Sequence, residues 1–335
     1  MRTVTVLRLV LCTPLAFLLA ASTALAQSGL FDWSGVAELG SYPGIKYAAV
    51  SVSSPRSINI DALQIDTTTP NLRFFSTSRS SSWIENVKET RRKTTRTFIS
   101  ESQTTETKVV AAINAGPWSP WPPVAPDDWN TEGPANMLGL AVSEGTLVSP
   151  GSGAPSVIVE NGGTVSLAST GSGYDITNVQ TAVTGFSFVL SNGNPIGGGS
   201  DVHPRTGIGL SQDDRYIYLM TIDGRQLFSE GATTGEVGSW LKHFGAYTGL
   251  NMDGGGSTTM AWWNPDNSDS DKSELLNHPV GTGWGLRRER NVGNNFGVYY
   301  VTEPSNPGDF DGDGGVDGSD FLLQQRDPSV GLLSD

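Results

Sequence analysis

The sequence has 335 residues with a strong excess of acidic side chains. It contains 21 lysines and arginines and 34 aspartates and glutamates, so its formal net charge is −13 at pH 7. Such acidity repels phosphate backbones and anionic lipid surfaces, which argues against nucleic acid or an anionic membrane as the partner. An anionic substrate would therefore have to be bound by a local group of cationic side chains.

Residues 1–26 have the features of a secretory signal peptide. Arg2 and Arg8 flank the start of an apolar run, and Ala24-Leu25-Ala26 has the small-residue pattern of a cleavage site. The run is shorter than the roughly 20 apolar residues that a membrane span needs. We expect a secreted, cell-surface or periplasmic protein whose mature chain starts near Gln27. Cleavage would remove the only cysteine, Cys12, and two arginines, which changes the net charge to −15.

Residues 27–303 are predicted to form one domain of the α+β class. We expect mixed or antiparallel β-sheets with several hairpins, packed against a few helices. The first two predicted helices span residues 82–90 and 94–103, the second with Phe98 and Ile99 facing inward. Three hairpins follow, each with glycine in its turn: 139–148 turning at Glu144-Gly145, 157–167 turning at Asn161-Gly162-Gly163, and 186–196 turning at Asn192-Gly193.

A strand, a helix and a second strand come next. The strand covers residues 215–225 and contains a turn signal, Asp223-Gly224, near its end. In the helix, Thr233 and Glu236 form a capping box and Gly245 provides the stop. Its apolar residues recur at helical spacing: Val237, Trp240, Leu241 and Phe244. The second strand, 249–252, leads directly into the most specific motif of the chain.

That motif is Asn251-Met252-Asp253-Gly254-Gly255-Gly256-Ser257-Thr258-Thr259-Met260. It places one carboxylate at the end of an apolar strand and follows it with three glycines and three hydroxyls. Glycines let a ligand approach the backbone closely, and successive free N–H groups can bind an anion. The alternative is a tight turn in which Asp253 only caps the next element.

The C-terminal part begins with a Pro-rich linker at residues 304–308. The following segment matches a twelve-residue calcium loop in the spacing of its oxygen ligands. The predicted calcium ligands are Asp309, Asp311, Asp313, Gly315, Asp317 and Asp320. With a helix from Phe321, residues 309–335 resemble one repeat of a dockerin domain, which normally has two. A cohesin-like partner is implied by this resemblance, and a calcium-binding tail without a partner is the alternative.

Five motifs of the central domain occur in the order that is typical of the phosphodiester glycosidase family, which the chain therefore resembles. They lie at residues 109–116, 204–209, 216–225, 251–260 and 290–295. The resemblance implies hydrolysis of an N-acetylglucosamine α-1-phosphodiester or of a related bond. One segment departs from the family pattern. The family usually has Asn-Gly-Gly-Phe-Phe where this chain has Asn114-Ala115-Gly116-Pro117-Trp118, so the pocket wall and the sugar specificity are expected to differ.

The implied chemistry assigns roles to particular side chains. A phosphate monoester is a good leaving group that needs its charge held more than it needs a proton, so we expect Arg205 and Thr206 to bind the phosphate. A carboxylate near the anomeric carbon would act as nucleophile or base, with Asp253 the first candidate and Asp223 the second. Asp223 could instead belong to a simple turn, and Arg205 could be structural.

Further substrate-binding candidates line up with the same motifs: Asn114, Gly254, Gly255, Gly256, Ser257, Thr258, His278 and Asn294. The histidines are too scattered to predict a metal site in the central domain, where no cofactor is assigned. We therefore predict a secreted glycosidase acting on a sugar-1-phosphodiester in an extracellular glycan. The alternative is a non-catalytic carbohydrate-binding or surface-attachment protein that retains the pocket.

Overall fold

The computed structural model describes residues 29–281, 283, 287–301, 318–319 and 321–322. The signal peptide, the linker and the six calcium-ligand positions lie outside the described residues, so these assignments stay predictions. In the part of the chain that is described, no helix is long and apolar enough to cross a membrane.

The described residues form mostly β-sheet, with two α-helices in the central domain, consistent with the predicted α+β class. The helices are α1 (Thr95–Ser102) and α2 (Thr234–Phe244). The strands are β1 (Ile45–Val52), β2 (Ile58–Asp66), β3 (Leu72–Ser76), β4 (Thr90–Arg92), β5 (Val109–Asn114), β6 (Trp118–Pro120), β7 (Gly133–Met137), β8 (Ala141–Ser143), β9 (Thr146–Ser149), β10 (Pro155–Glu160), β11 (Val165–Ser169), β12 (Val179–Thr184), β13 (Ser187–Ser191), β14 (Asn194–Pro195), β15 (Arg205–Leu210), β16 (Tyr216–Ile222), β17 (Thr248–Asn251), β18 (Met260–Trp263), β19 (Ser273–Leu275) and β20 (Asn295–Tyr300).

These strands form antiparallel sheets. The largest has seven strands in the order β1-β2-β16-β15-β17-β13-β14, and two five-stranded sheets have the orders β11-β10-β12-β8-β9 and β19-β18-β5-β20-β3. A three-stranded sheet, β4-β7-β6, completes the set among the described residues. The main apolar core lies where the three larger sheets meet and contains Leu63, Ile113, Val157 and Leu250.

The two helices cover the outer faces of two of these sheets. Val237 and Phe244 of α2 pack on Met220 of the seven-stranded sheet, while Phe98 of α1 packs on Ala112 of β5. Both helices were predicted, and both are confirmed. In the capping box of α2, the backbone N–H of Thr233 donates to the Glu236 carboxylate at 2.7 Å.

The three predicted hairpins are also confirmed, because β8 pairs with β9, β10 with β11 and β13 with β14. The turns of the first and third have the backbone that their residues favour. Glu144 and Gly145 have φ values of 49° and 70°, and Asn192 and Gly193 have values of 49° and 72°. Positive φ at both central positions matches the twist of the flanking strands.

The predicted helix at residues 82–90 is wrong. Ile84 and Lys88 form an antiparallel bridge instead, and Asn86 has a φ of 58°. The fully buried Glu89 explains the difference, since its carboxylate accepts the backbone N–H of Asn86 at 2.9 Å and that of Met137 at 2.7 Å. A tight turn supplies this buried carboxylate with donors from two segments, which a helix over the same residues would not do.

Candidate functional site

The Asp253 motif connects two of the three larger sheets that surround the main core. It leaves β17, an inner strand of the seven-stranded sheet, and enters β18, which pairs with β5. Three backbone bonds hold the crossing: Met252 N–H donates to Thr206 O at 2.9 Å, Asp253 N–H to Ala115 O at 3.0 Å and Gly255 N–H to Pro204 O at 2.8 Å. The position of Asp253 is therefore set by the ends of β5 and β15.

The carboxylate of Asp253 has polar partners on more than one side. The indole Nε1–H of Trp118 donates to its Oδ2 at 3.1 Å, and the Ser257 hydroxyl also donates to it. Arg290 donates to Ser257 Oγ at 3.3 Å and adds a positive charge nearby. Burial nevertheless raises the pKa of Asp253 to about 6, because the loss of hydration outweighs these stabilising contacts. A carboxylate with such a pKa can accept a proton near neutral pH.

A cavity of about 400 Å³ opens in front of Asp253 and is rich in cationic side chains. Arg205 donates to the backbone oxygens of Ala232 at 2.9 Å and Asp201 at 2.8 Å, and Arg225 lies 3.5 Å from His203 Nδ1. The cavity is lined by Phe186, His203, Arg205, Arg225, Asn251, Met252, Asp253, Gly254 and Gly255.

Neither Arg205 nor Arg225 forms an ion pair with a carboxylate of the described residues. Burial lowers the pKa of both guanidinium groups. It also lowers the pKa of His203, an effect that Arg225 and Arg205 reinforce. The cavity thus contains two guanidinium groups without a carboxylate partner among the described residues and an imidazole whose charged form is disfavoured.

The glycines of the motif allow close packing against neighbouring segments. A Cβ on Gly254 would lie 2.9 Å from Pro204 O, and a Cβ on Gly256 would lie 1.7 Å from Gly281 O. The N–H groups of Gly255 and Ser257 donate to backbone oxygens of the protein. These two backbone amides are therefore already hydrogen-bonded within the protein, and an anion in the cavity would be bound mainly by the cationic side chains.

Three predicted binding residues form a buried network behind the cavity. Asn114 Nδ2–H donates to Asp253 O at 2.6 Å, and Asn114 Oδ1 accepts the Thr206 hydroxyl at 2.8 Å and the Thr259 N–H at 3.0 Å. The hydroxyls of Thr206 and Thr258 are 3.4 Å apart. These side chains support the turn and do not line the cavity.

Asp223, the second catalytic candidate, lies at the same edge of the seven-stranded sheet as Asp253. Strands β16 and β17 both run antiparallel to β15, so their carboxyl ends point to the same side. Its buried carboxylate accepts the backbone N–H of His278 and Nδ2–H of Asn277, both at 3.0 Å. Burial raises the pKa of Asp223 to about 6, although these hydrogen bonds and the charge of Arg287 oppose the shift. Asp223 is not part of the cavity lining, and its contacts are those of a residue that holds the 277–278 segment.

Neither His278 nor Asn294 is part of the lining of the cavity in front of Asp253. The His278 ring packs edge-on against Phe228, with 5.2 Å between the ring centroids. Asn294 is buried, and its side-chain amide has no hydrogen-bond partner among the described residues. Their roles in substrate binding remain predictions.

Seven side chains at the site are not among the predicted site residues: Trp118, Phe186, His203, Arg225, Asn251, Met252 and Arg290. Arg225 follows Asp223-Gly224 directly, and Arg290 begins the last motif, so both lie in motifs that carry the family resemblance. Trp118 stands in the segment that departs from the family pattern, and His203 directly precedes the motif at residues 204–209. No group of three or more His, Cys, Asp or Glu side chains in the described ranges is arranged to hold a metal ion.

Comparison with known proteins gives a consistent result. A family model described as phosphodiester glycosidase matches residues 107–299. No curated protein matched the sequence. The structure is similar to the zebrafish N-acetylglucosamine-1-phosphodiester alpha-N-acetylglucosaminidase catalytic domain, auto-inhibited by its pro-peptide, with a TM-score of 0.57 and 15% identity over 79% of this chain and 86% of that one.

Two further solved structures are similar. A hypothetical protein from Synechocystis has a TM-score of 0.51 and 14% identity, with 77% of this chain and 62% of that chain covered. A putative exported protein from Burkholderia pseudomallei K96243 has a TM-score of 0.50 and 13% identity, with 72% and 74% covered. At such low identities, these likenesses show a shared fold.

Proposed function

The chain belongs to the phosphodiester glycosidase family, and we propose that it is an exported glycosidase that hydrolyses a sugar-1-phosphodiester. This proposal rests on the charged side chains that line the cavity. One carboxylate, Asp253, shares it with two guanidinium groups, Arg205 and Arg225, that have no carboxylate partner among the described residues. The phosphodiester anion of such a substrate complements the two guanidinium groups. The positive charge that develops at its anomeric carbon in the transition state complements Asp253.

In the proposed reaction, water attacks the anomeric carbon while Asp253 accepts one of its protons. A new bond forms between the water oxygen and this carbon as the bond from the carbon to the phosphate oxygen breaks. The electron pair of that bond goes to the phosphate, which leaves as a monoester anion. Arg205 and Arg225 stabilise the charge that develops on it, which is where preorganised donors are most effective. The charge on Asp253 also stabilises the oxocarbenium-like carbon in the transition state.

The sugar is proposed to occupy the part of the cavity beside Phe186. This side chain lines the cavity, yet 54% of its surface is exposed. An exposed aromatic ring offers a face for the apolar side of a sugar. The name of the similar zebrafish enzyme gives N-acetylglucosamine as its sugar, and we propose a sugar of the same class here.

We also propose that the tail is a separate calcium-binding module. The spacing from Asp309 to Asp320 supports a calcium loop, and the resemblance to a dockerin repeat supports a cohesin-like partner. Secretion through residues 1–26 would place both modules in a calcium-containing extracellular medium.

The test is hydrolysis by the full mature chain of a methyl diester of N-acetylglucosamine α-1-phosphate in ¹⁸O-labelled water. We expect free sugar, with the label in the anomeric hydroxyl and none in the released methyl phosphate. Label in the phosphate would contradict the proposal, because it would mean attack on phosphorus. Sugar binding without release from any phosphodiester would instead identify a non-catalytic binding protein. Asp253→Asn serves as the inactive control.

A further inference from the structure

The hydrogen bond from Trp118 to Asp253 joins two segments that are far apart in sequence. Trp118 begins β6, which pairs with β7 through Met137, and its indole Nε1–H lies 3.1 Å from Asp253 Oδ2. Indole is a hydrogen-bond donor only and does not titrate. Its contact with a carboxylate is therefore strongest when the carboxylate carries its charge.

The Trp118 ring is held in place by its surroundings. Only 6% of its surface is exposed, the Trp129 ring centroid is 5.4 Å away, and the Arg92 guanidinium lies 5.6 Å from the ring centre. Gly293 makes this approach possible, since a Cβ there would lie 2.7 Å from Trp118 Cβ. The indole thus reaches Asp253 in an orientation fixed by packing, which is the condition for a precise polar contact.

Trp118 and Ser257 restrain the same carboxylate. Ser257 accepts a hydrogen bond from Arg290 at 3.3 Å, and its hydroxyl forms a hydrogen bond with Asp253 that lowers the pKa of that carboxyl. This pair of donors restrains rotation of the carboxylate. From this arrangement we infer that Trp118 is a positioning residue, which orients Asp253 and keeps it ionised so that it can accept a proton. The inference rests on the proposed role of Asp253.

The chain offers a well-matched control for a substitution of Trp118. Trp118→Phe retains an aromatic ring in the β6 environment and removes the donor. Trp129→Phe removes a similar volume from the same apolar cluster and keeps an aromatic ring beside Arg290, whose guanidinium lies 5.4 Å from the Trp129 ring centre. The Trp129 indole donates to Val124 O at 3.4 Å and not to Asp253. An effect of the hydrogen bond should appear in the first variant only.

The first measurement is the pH profile of kcat/KM on the phosphodiester substrate. We expect the acidic limb of Trp118→Phe to move to higher pH by about one unit, because a donor to the charged form is lost. The acidic limb of the Trp129→Phe profile should lie at the same pH as that of the wild type. Equal shifts in the two variants, or none in Trp118→Phe, would overturn the inference.

The second measurement does not need turnover. In ¹⁵N-labelled full chain, the indole N–H resonance that Trp118→Phe removes should titrate with a midpoint near pH 6, and Asp253→Asn should abolish this titration. If the chemical shift of the Trp118 indole N–H does not change with pH, the inference is overturned even if the enzyme is active. A clear titration in a chain that cleaves no phosphodiester would contradict the proposed function and leave the contact itself supported. If Trp118→Phe does not fold, comparison of the wild type with Asp253→Asn still decides between these results.

Discussion

Asn114 Nδ2–H donates to the backbone oxygen of Asp253 at 2.6 Å, so the last residue of β5 holds the turn that carries the proposed catalytic carboxylate. The other end of the same amide accepts two donors, from Thr206 and Thr259. One fully buried side chain thereby joins β5, β15 and the segment that follows the three glycines. The family resemblance implies that Asn114 contacts substrate, whereas its bonds are those of a scaffold.

Asn114→Ala is therefore expected to reduce stability and activity together. It leaves three buried polar groups without their partner, and a cost of about 2–4 kcal/mol follows if each group loses about 1 kcal/mol. Urea unfolding measures this cost. Asn294→Ala is the control, because its buried amide has no partner among the described residues and should lose much less. Equal losses in the two variants would contradict the scaffold role.

Asp253→Asn should lower kcat by about 100- to 10,000-fold, the range typical of a general base, with little change in stability. The amide keeps the shape of the carboxylate but cannot accept a proton from water. Steady-state kinetics on the phosphodiester measure this effect. Asp201→Asn removes a charge near Arg205 from a residue outside the cavity lining, and it should be nearly as active as the wild type. Comparable activity of the two variants would exclude Asp253 as the base.

Arg225→Met should weaken action on the phosphodiester far more than action on an uncharged aryl glycoside of the same sugar. A hydrogen bond to a charged group contributes about 1.5–3 kcal/mol, so kcat/KM should fall by roughly 10- to 150-fold. Arg215→Met makes the same change in net charge at an exposed pair with Asp66 and should have no such effect. An equal fall on both substrates would show that Arg225 acts on something other than the phosphate.

Asp61 and Asp66 lie on the same strand, β2, and should affect stability in opposite directions. Burial raises the pKa of Asp61 to about 7, with further upward influence from Asp223. Between pH 4 and 7, the unfolded chain ionises at this position before the folded chain does, so its contribution to stability falls as the pH rises. Asp61→Asn removes this penalty and can still accept the Tyr47 hydroxyl, which is 2.6 Å from Asp61 Oδ1.

Urea unfolding at pH 8 should therefore show Asp61→Asn to be more stable than the wild type, with the gain vanishing near pH 4. Desolvation is the largest single influence on Asp66 and opposes ionisation, but the hydrogen bonds from Arg215 and Thr68 together lower its pKa. Its contribution to stability is therefore present above pH 4 and is lost as the pH falls. Asp66→Asn should accordingly be less stable than the wild type at pH 8. A pH-independent effect of Asp61→Asn would show that its carboxyl does not titrate differently in the folded state.

Asp309→Ala should abolish calcium binding by the tail, because this substitution removes the first ligand of the predicted loop. Isothermal titration calorimetry with calcium measures this loss on the full chain. Hydrolysis should be unchanged if the two modules are independent. A loss of hydrolysis in this variant would mean that the tail supports the central domain.

Local sequence was sufficient wherever one segment contains all the determinants of its own conformation. The ends of α2 could be predicted because Thr233, Glu236 and Gly245 satisfy the helix termini within one segment. The hairpins could be predicted because residues that tolerate positive φ stand in their turns. The same reasoning failed at residues 82–90, where the donors for Glu89 include the N–H of Met137, almost fifty residues away.

The site shows the same division between local and distant information. The sequence by itself determined that Asp253 would follow an apolar strand at the start of a glycine-rich turn, and it indicated Arg205 as a candidate for the phosphate. Only the tertiary structure brought Arg225 into the same cavity, directed Asp223 toward Asn277 and His278, and placed the Trp118 indole against Asp253. Propensities and caps depend on neighbours in the chain, whereas the partners of a buried charge are chosen by sheet register and by packing between distant segments.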